Sequence, residues 1–488
     1  MKFLIVINRL AHVRHFDRAV RLLADRGHDV CLASQDDDVE LRGVLAGQSR
    51  ITAVSGPRNR TDDWTAHATT LRRARDYVRY LHPRYKDAVL LRNRAFEKLV
   101  RAVSGPDREI GDGWSEVLAG VNKAEQRRLE ALLARLETTI PTDAEIDAFV
   151  ADQAPDALVL SPMVGIGFSQ ADFVKTARRF AIPSGMLVFS WDNLSNKGLI
   201  HDAPDRMFVW NKIQRREAER LHRFPPERVV ITGAPRFDEL FELQPATTRE
   251  EFCNLIGIDP SKPIIVYLCS SKFVAARERA FVERWIVELR KSSDERLAGA
   301  TLVIRPHPGA MDYWHNEHPV VVRWPDIHKD KAATSRSFAD EHTLVLSSPM
   351  QNADQVLYDT VYHGSAVVGL NTSAEIEAGI VGRPVYTIID PDTKGQKETL
   401  HFRYLLQGQG GHVNLAEDFD QHRAQLSAAL AGDFDRTAIT RFVERFVRPH
   451  GVDRPVAPIV ADAIEGLLQL RSDASRTPAL ATLSTGTP

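Results

Sequence analysis

Cysteine is scarce in this chain, with three in 488 residues, Cys31, Cys253 and Cys269. An odd number, far apart and set in apolar surroundings, excludes a disulfide framework and offers no metal-ligand spacing. The pattern reads as buried thiols of a reducing, cytoplasmic compartment. Long hydrophobic runs are missing as well: no stretch of about eighteen apolar residues occurs, so nothing reads as a membrane span. The opening run Phe3–Ile7 is too short for a signal peptide and reads as a first core strand. An excess of one charge is also lacking, since 63 Lys and Arg against 65 Asp and Glu leave a formal net charge of −2. No global field therefore favours nucleic acid. The stretch 471–488, rich in Ser, Thr, Ala and Pro, lacks the apolar content to pack and is expected to be disordered.

What the chain has is length and a repeating α/β pattern. A chain of 488 residues exceeds one core, and two α/β domains are expected. Phe3–Ile7 as strand, an amphipathic helix from about Phe16 to Arg26 closing on Gly27-His28, and strand Asp29–Ala33 make an opening βαβ unit. Ligands of such sheets bind at the carboxyl ends of the strands. The loop Asn8–His15 is therefore a candidate site, with His12, Arg14 and His15 available for acceptor contacts or proton transfer. From about 62 to 136 the pattern changes to long, charged, helix-period sequence crowded with arginines, including Arg72, Arg75 and Arg79. It is expected to be a helical insert whose basic face suits a polyanionic acceptor or the inner surface of a membrane.

Regular α/β sequence resumes at Ile146. Strand Gly185–Phe189 ends in Ser190-Trp191-Asp192-Asn193, where a flat aromatic with neighbouring donors and acceptors suits a sugar or polar acceptor. Asp192 is the carboxylate best placed there to act as a base. The Gly- and Pro-punctuated segment Gly233–Asp238 marks the domain boundary. In the second half, strand Pro263–Leu268 ends in Cys269-Ser270-Ser271-Lys272 and strand Ala300–Ile304 in Arg305-Pro306-His307-Pro308. Strand Ala366–Gly369 leads through Asn371-Thr372-Ser373 into a short helix carrying Glu375 and Glu377. A helix N-terminus directly after a strand offers N–H groups and a positive dipole end to a phosphate. Glu377, one turn beyond Ser373, is spaced to accept hydrogen bonds from vicinal ribose hydroxyls. Ser270, Ser271, Arg305, His307, Thr372, Ser373 and Glu377 thus gather at strand ends as a diphosphate with developing charge requires.

R-P-H-P after one strand, S-x-x-x-E-A-x-x-x-G-x-P (Ser373–Pro384) after another, H-x-R-H-F in the first loop and R-G-H-D-V before the second strand together resemble the GT-B superfamily of nucleotide-sugar enzymes. The resemblance is narrower to bacterial surface-polysaccharide enzymes that include CDP-glycerol glycerophosphotransferases and capsule glycosyltransferases. It implies an α/β fold of two Rossmann-like domains facing a cleft. The acceptor domain would span 1–232 and carry the insert, and the donor domain 233–446. A C-terminal helix at 447–470 would cross back to the first domain. It also implies that Ser373 and nearby N–H groups hold the donor phosphate and Glu377 the ribose. Arg305 and His307 would face the diphosphate, with His307 stabilising the departing charge, and His12 or alternatively Asp192 would deprotonate the acceptor. Trp191 and Asn193, with Arg14 and His15, fall on the acceptor side.

The sequence departs from its relatives at Ala234, where they often carry Asn, and in the Arg-rich insert. The expected activity is metal-independent transfer of a sugar from a nucleotide-diphosphate donor to a glycan, lipid-linked or metabolite acceptor. No cofactor is expected beyond the nucleotide-sugar substrate, and any membrane contact would be peripheral. The alternatives are polyol-phosphate transfer from CDP-glycerol or CDP-ribitol, a UDP-N-acetylglucosamine 2-epimerase-like activity, and a noncatalytic nucleotide-binding protein.

Overall fold

The computed structural model describes residues 1–36, 40–57, 59–104, 120–165, 170–309, 314, 320–323, 331–336, 340–347 and 353–470. The Ser/Thr-rich tail and part of the Gly165-Ile166-Gly167 loop lie outside the described residues. Two compact units result. The first comprises Met1–Pro83, Ala95–Arg236 and Asp453–Pro488, and the second Arg84–Arg94 and Phe237–Val452.

The first unit holds a seven-stranded sheet: β1 (Lys2–Ile7), β2 (Asp29–Ser34), β3 (Ile51–Ser55), β4 (Ala157–Ser161), β5 (Ser184–Leu187), β6 (Arg206–Val209) and β7 (Val229–Ile231). Their order is β3-β2-β1-β4-β5-β6-β7, with parallel pairing throughout. A parallel sheet is covered on both faces, so its strands read as continuous apolar runs rather than alternating ones. In β1 the odd residues Phe3, Ile5 and Ile7 join one core, while Leu4 and Val6 join the other. The first core also takes Leu23 from helix Asp17–Asp25 and Val460, Ala461 and Ile464 from the last helix, Ala457–Glu465. Arg26 pairs with Asp462 and Glu465, each at 2.8 Å, at the rim of that contact.

The insert forms helices Thr65–Val78, Val89–Ser104 and Lys123–Thr139, and its arginines are not all on an outward face. Arg72 is 7 % exposed. It donates from Nη1 and Nη2 to the two oxygens of Asp172, 2.7 Å each, and from Nε to Glu137 at 2.9 Å. Arg60 also reaches Asp172, at 3.1 Å. Arg75 donates to the His201 carbonyl at 2.9 Å, and Arg79 donates to the Lys197 carbonyl and to Tyr80. Arg72, Arg75 and Arg79 are therefore taken out of the basic face expected here. These three side chains dock helix Thr65–Val78 and the turn after it onto the first unit, because a buried guanidinium needs hydrogen-bonded partners.

The second unit carries β8 (Ile264–Leu268), β9 (Thr301–Arg305), β10 (Val320–Arg323), β11 (Lys331–Arg336), β12 (Thr343–Ser347), β13 (Ala366–Gly369), β14 (Val385–Ile388) and β15 (Val413–Ala416). Their order is β10-β11-β12-β9-β8-β13-β14-β15. β10 and β11 are antiparallel additions. The remaining six repeat the order of the first unit's β1 to β6, and both units are Rossmann-like. In each, the order reverses between the first and fourth strands, at β1/β4 and at β8/β13. Open α/β sheets bind ligands at such a reversal, outside the carboxyl ends of the strands. No helix among the described residues is long and apolar enough to cross a membrane.

Candidate functional site

At the reversal in the second unit, the last residues of β8 and β13, Leu268 and Gly369, are register partners. Past Leu268 the chain runs Cys269-Ser270-Ser271; past Gly369 it runs Leu370-Asn371-Thr372-Ser373. Both turns are held by buried carboxylates. Glu278, 5 % exposed, accepts the Ser270 N–H on both oxygens at 2.8 and 2.9 Å and the Tyr267 hydroxyl at 3.1 Å. Glu375, with no exposed surface, accepts the Asn371 N–H at 3.3 Å and the Thr372 N–H at 3.1 Å. Burial pushes each carboxyl up to about 8, and the charge on Glu375 adds to the shift at Glu278. Gly369 leaves the room this requires, since a Cβ there would lie 2.7 Å from Glu375 Oε1.

Glu375 is thus the first ligand of the turn that the sequence assigns to phosphate. It occupies the N–H groups of 371 and 372. Thr372 and Ser373 are half-buried beside it, and Ser373 is the N-cap of helix Ala374–Ile380 without a side-chain capping bond. Arg305, the last residue of β9, is 8 % exposed. Burial lowers its guanidinium to about 10, while Cys269 and Glu377 act in the opposite direction. The structure therefore brings Arg305 and Glu377 within electrostatic reach of each other at one sheet edge. His307 is half-buried, accepts the Gly309 N–H on Nδ1 at 3.1 Å, and is held below its usual pKa by burial. Ser271 turns the chain, its carbonyl accepting from Val274 at 2.9 Å and Ala275 at 3.0 Å. The segment after β14 returns to this edge: Asn371 Nδ2 donates to the Gly395 carbonyl at 2.9 Å and to Thr399 Oγ1 at 3.2 Å.

At the reversal in the first unit the loop after β1 forms the short helix Leu10–His15. His12 and His15 stand beside Phe189 from the end of β5, with ring centroids 5.4 and 4.9 Å away. Burial, then Arg9 and Arg14, lower the His12 pKa. Burial, then Arg236, Arg14 and His12, put His15 well below its usual value. Both imidazoles are accordingly neutral at pH 7, the state a proton acceptor needs. Arg14 is exposed. Asp192 accepts from Ser190 Oγ at 2.7 Å and pairs with Lys197 at 3.0 Å. Trp191 is 3 % exposed and Asn193 1 %. Asn193 Oδ1 accepts the Phe189 and Ser190 N–H groups at 3.2 and 3.1 Å, which shapes the turn. The β1 and β4 ends are joined by Gln170, which accepts from the Met163 N–H at 2.6 Å and donates to the Val6 and Ser161 carbonyls at 3.2 and 3.1 Å.

Sequence reasoning passed over Glu278 and Gln170 and treated Glu375 only as a helix residue. A signal existed for Glu278, because it falls on the stripe of Phe281, Val282, Trp285, Ile286 and Leu289, the buried face of helix Glu278–Arg290. A carboxylate at that period is buried and must be satisfied locally. Among the described residues no group of three or more His, Cys, Asp or Glu is arranged to hold a metal.

No family model and no curated protein matches the chain. Solved structures match it over nearly their whole length. S. aureus MnaA in a co-structure with UDP is 11% identical, covering 96% of this chain and 97% of that one, with a TM-score of 0.50. A glycosyltransferase from Rickettsia africae is 9% identical over 96% and 98%, TM-score 0.49. The UDP-GlcNAc 2-epimerase of Methanocaldococcus jannaschii is 11% identical over 96% and 100%, TM-score 0.48. The likeness is one of fold, an α/β chain of two Rossmann-like units.

Proposed function

We propose that the chain is a glycosyltransferase that takes its sugar from a nucleotide diphosphate seated at the β8/β13 edge of the second unit. The observation that carries this reading is the placement of Arg305 at the end of β9 and of Glu377 on the helix after β13, at the sheet edge where the strand order reverses. A nucleoside diphosphate needs cationic and N–H donors for its phosphates and a carboxylate for its ribose, and this edge supplies both kinds. In the transfer the acceptor oxygen bonds to the anomeric carbon as the bond from that carbon to the diphosphate breaks. The acceptor proton goes to a base, assigned to His12, with Asp192 as the alternative. The departing charge is assigned to Arg305 and His307 rather than to a metal ion. Catalysis of this kind rests on positioning and charge stabilisation.

The test is a thermal-shift screen of the full chain against UDP, GDP, CDP, dTDP and CMP, repeated with Glu377→Ala. UDP heads the panel because S. aureus MnaA, which shares this fold, was solved with it. A ligand at about 100 times its dissociation constant adds about 2.7 kcal/mol of stability. One diphosphate should stabilise the chain, and the variant should lose that gain. A preference for CDP would redirect the reading to polyol-phosphate transfer. No shift with any diphosphate at millimolar concentration would refute the nucleotide seat.

A further inference from the structure

We propose that the side-chain carbonyl of Asn371 accepts a hydrogen bond from a hydroxyl of the sugar on the nucleotide donor, so that Asn371 reads that sugar. The inference rests on the nucleotide-sugar reading above and adds a residue to it.

Asn371 is the second residue past β13, at the point where the strand order of the sheet reverses. Its φ is +91°, a left-handed conformation outside glycine. Asparagine tolerates that region better than most residues but is still strained there, so surrounding contacts must hold it. Three do so: its N–H goes to Glu375 at 3.3 Å, and its Nδ2 to the Gly395 carbonyl at 2.9 Å and Thr399 Oγ1 at 3.2 Å. Gly395 is itself fixed, because its N–H donates to the Val274 carbonyl at 3.1 Å and a Cβ would come within 2.5 Å of that oxygen. The amide orientation follows. A flipped side chain would set its oxygen against the Gly395 carbonyl, leaving two acceptors face to face.

With both Nδ2 hydrogens used, Oδ1 is the polar atom left over. Asn371 is 3 % exposed, and Oδ1 has no hydrogen-bond partner among the described residues. Buried polar atoms are rarely left so, and one at the edge where the strand order reverses marks where a ligand's group goes. Oδ1 accepts only, and a diphosphate has no hydrogen to give. The ribose hydroxyls are assigned to Glu377. The sugar hydroxyls are the donors that remain next to the diphosphate.

Binding of the full chain is measured by calorimetric titration with the nucleoside diphosphate that gives the largest thermal shift and with its glucose and N-acetylglucosamine conjugates. Wild type should bind one conjugate at least about tenfold tighter than the bare diphosphate, the scale of one well-made hydrogen bond. Asn371→Gly accepts the positive φ and removes the carbonyl; it should abolish that ratio and leave diphosphate affinity within about twofold. Thr399→Val, away from the strained residue, loosens the amide and should reduce the ratio partway, which keeps the test intact if the glycine variant fails to fold. An unchanged ratio in both variants overturns the inference. So does a parallel loss of diphosphate binding, or a wild type that binds conjugate and diphosphate equally. A wild type that binds no nucleotide instead refutes the donor seat itself.

Discussion

The two units reverse their strand order in the same place and tie the ends of the reversing strands in different ways. In the first, one amide, Gln170, joins a backbone N–H and two carbonyls. In the second, two carboxylates, Glu278 and Glu375, take only N–H and hydroxyl donors. An amide donates and accepts without titrating. A carboxylate accepts until it gains a proton, and both of these hold theirs to about pH 8. The first edge is therefore indifferent to pH through its tie, whereas the second carries ionisable groups beneath the turns after β8 and β13.

The largest expected effect comes from breaking the neutral tie. Gln170→Ala leaves the Met163 N–H and two carbonyl contacts unmade and should cost about 2–4 kcal/mol in denaturant melts. Gln170→Glu should also destabilise, increasingly so above its own pKa, because a carboxylate has nothing to give the Val6 and Ser161 carbonyls. Equal stability of wild type and Gln170→Glu at pH 8 would show that the tie is not what separates the two edges. Next in size, Gly369→Ala forces a Cβ to within 2.7 Å of Glu375 Oε1 and should cost about 1–3 kcal/mol.

Smaller per pH unit, and more diagnostic, is the pH slope. Glu278 and Glu375 have folded pKa values near 8 against an ordinary 4.5. Between those values the folded chain holds more protons than the unfolded one. Stability contributed by this edge therefore falls as pH rises from 4.5 to 8 and levels off above, by at most about 1.4 kcal/mol per pH unit per group. Glu375→Gln should flatten the slope, read as hydrogen exchange of the β8 and β13 amides across that range. His412 pulls the other way. Its Nε2 lies 2.9 Å from the Glu375 carbonyl, and burial lowers it from 6.5 to about 4. The unfolded chain holds more protons there, so stability falls as pH drops from 6.5 to 4. His412→Asn should remove that acid loss, read in denaturant melts between pH 4 and 6.5.

Much of the frame was legible beforehand. Strand Ala366–Gly369 and helix Lys212–His222 fall where apolar runs and amphipathic period placed them, because local pattern specifies local structure. β3, β15 and the hairpin β10–β11 passed unnoticed. β3 is half-exposed and lies at the edge of its sheet, so pairing with a neighbour rather than apolar content makes it a strand; β10 and β15 have only four residues each. At the candidate site, residue types and strand-end positions pointed to Arg305, His307, Ser373 and Glu377. The ties beneath them, Glu278, Glu375 and Gln170, were not visible as such, because a polar residue on a buried face looks like any surface residue until its partner is in place.

By itself the sequence determined that this is a two-domain α/β chain, where its main strands run, and which polar residues follow them. Those properties depend on neighbours in the chain. Only the tertiary structure decided that both sheets reverse at matching places, that the insert's Arg72 faces Asp172 rather than solvent, and that Asn371 is locked with one acceptor left over. Each of these depends on groups tens to hundreds of residues apart in sequence, which no local pattern encodes.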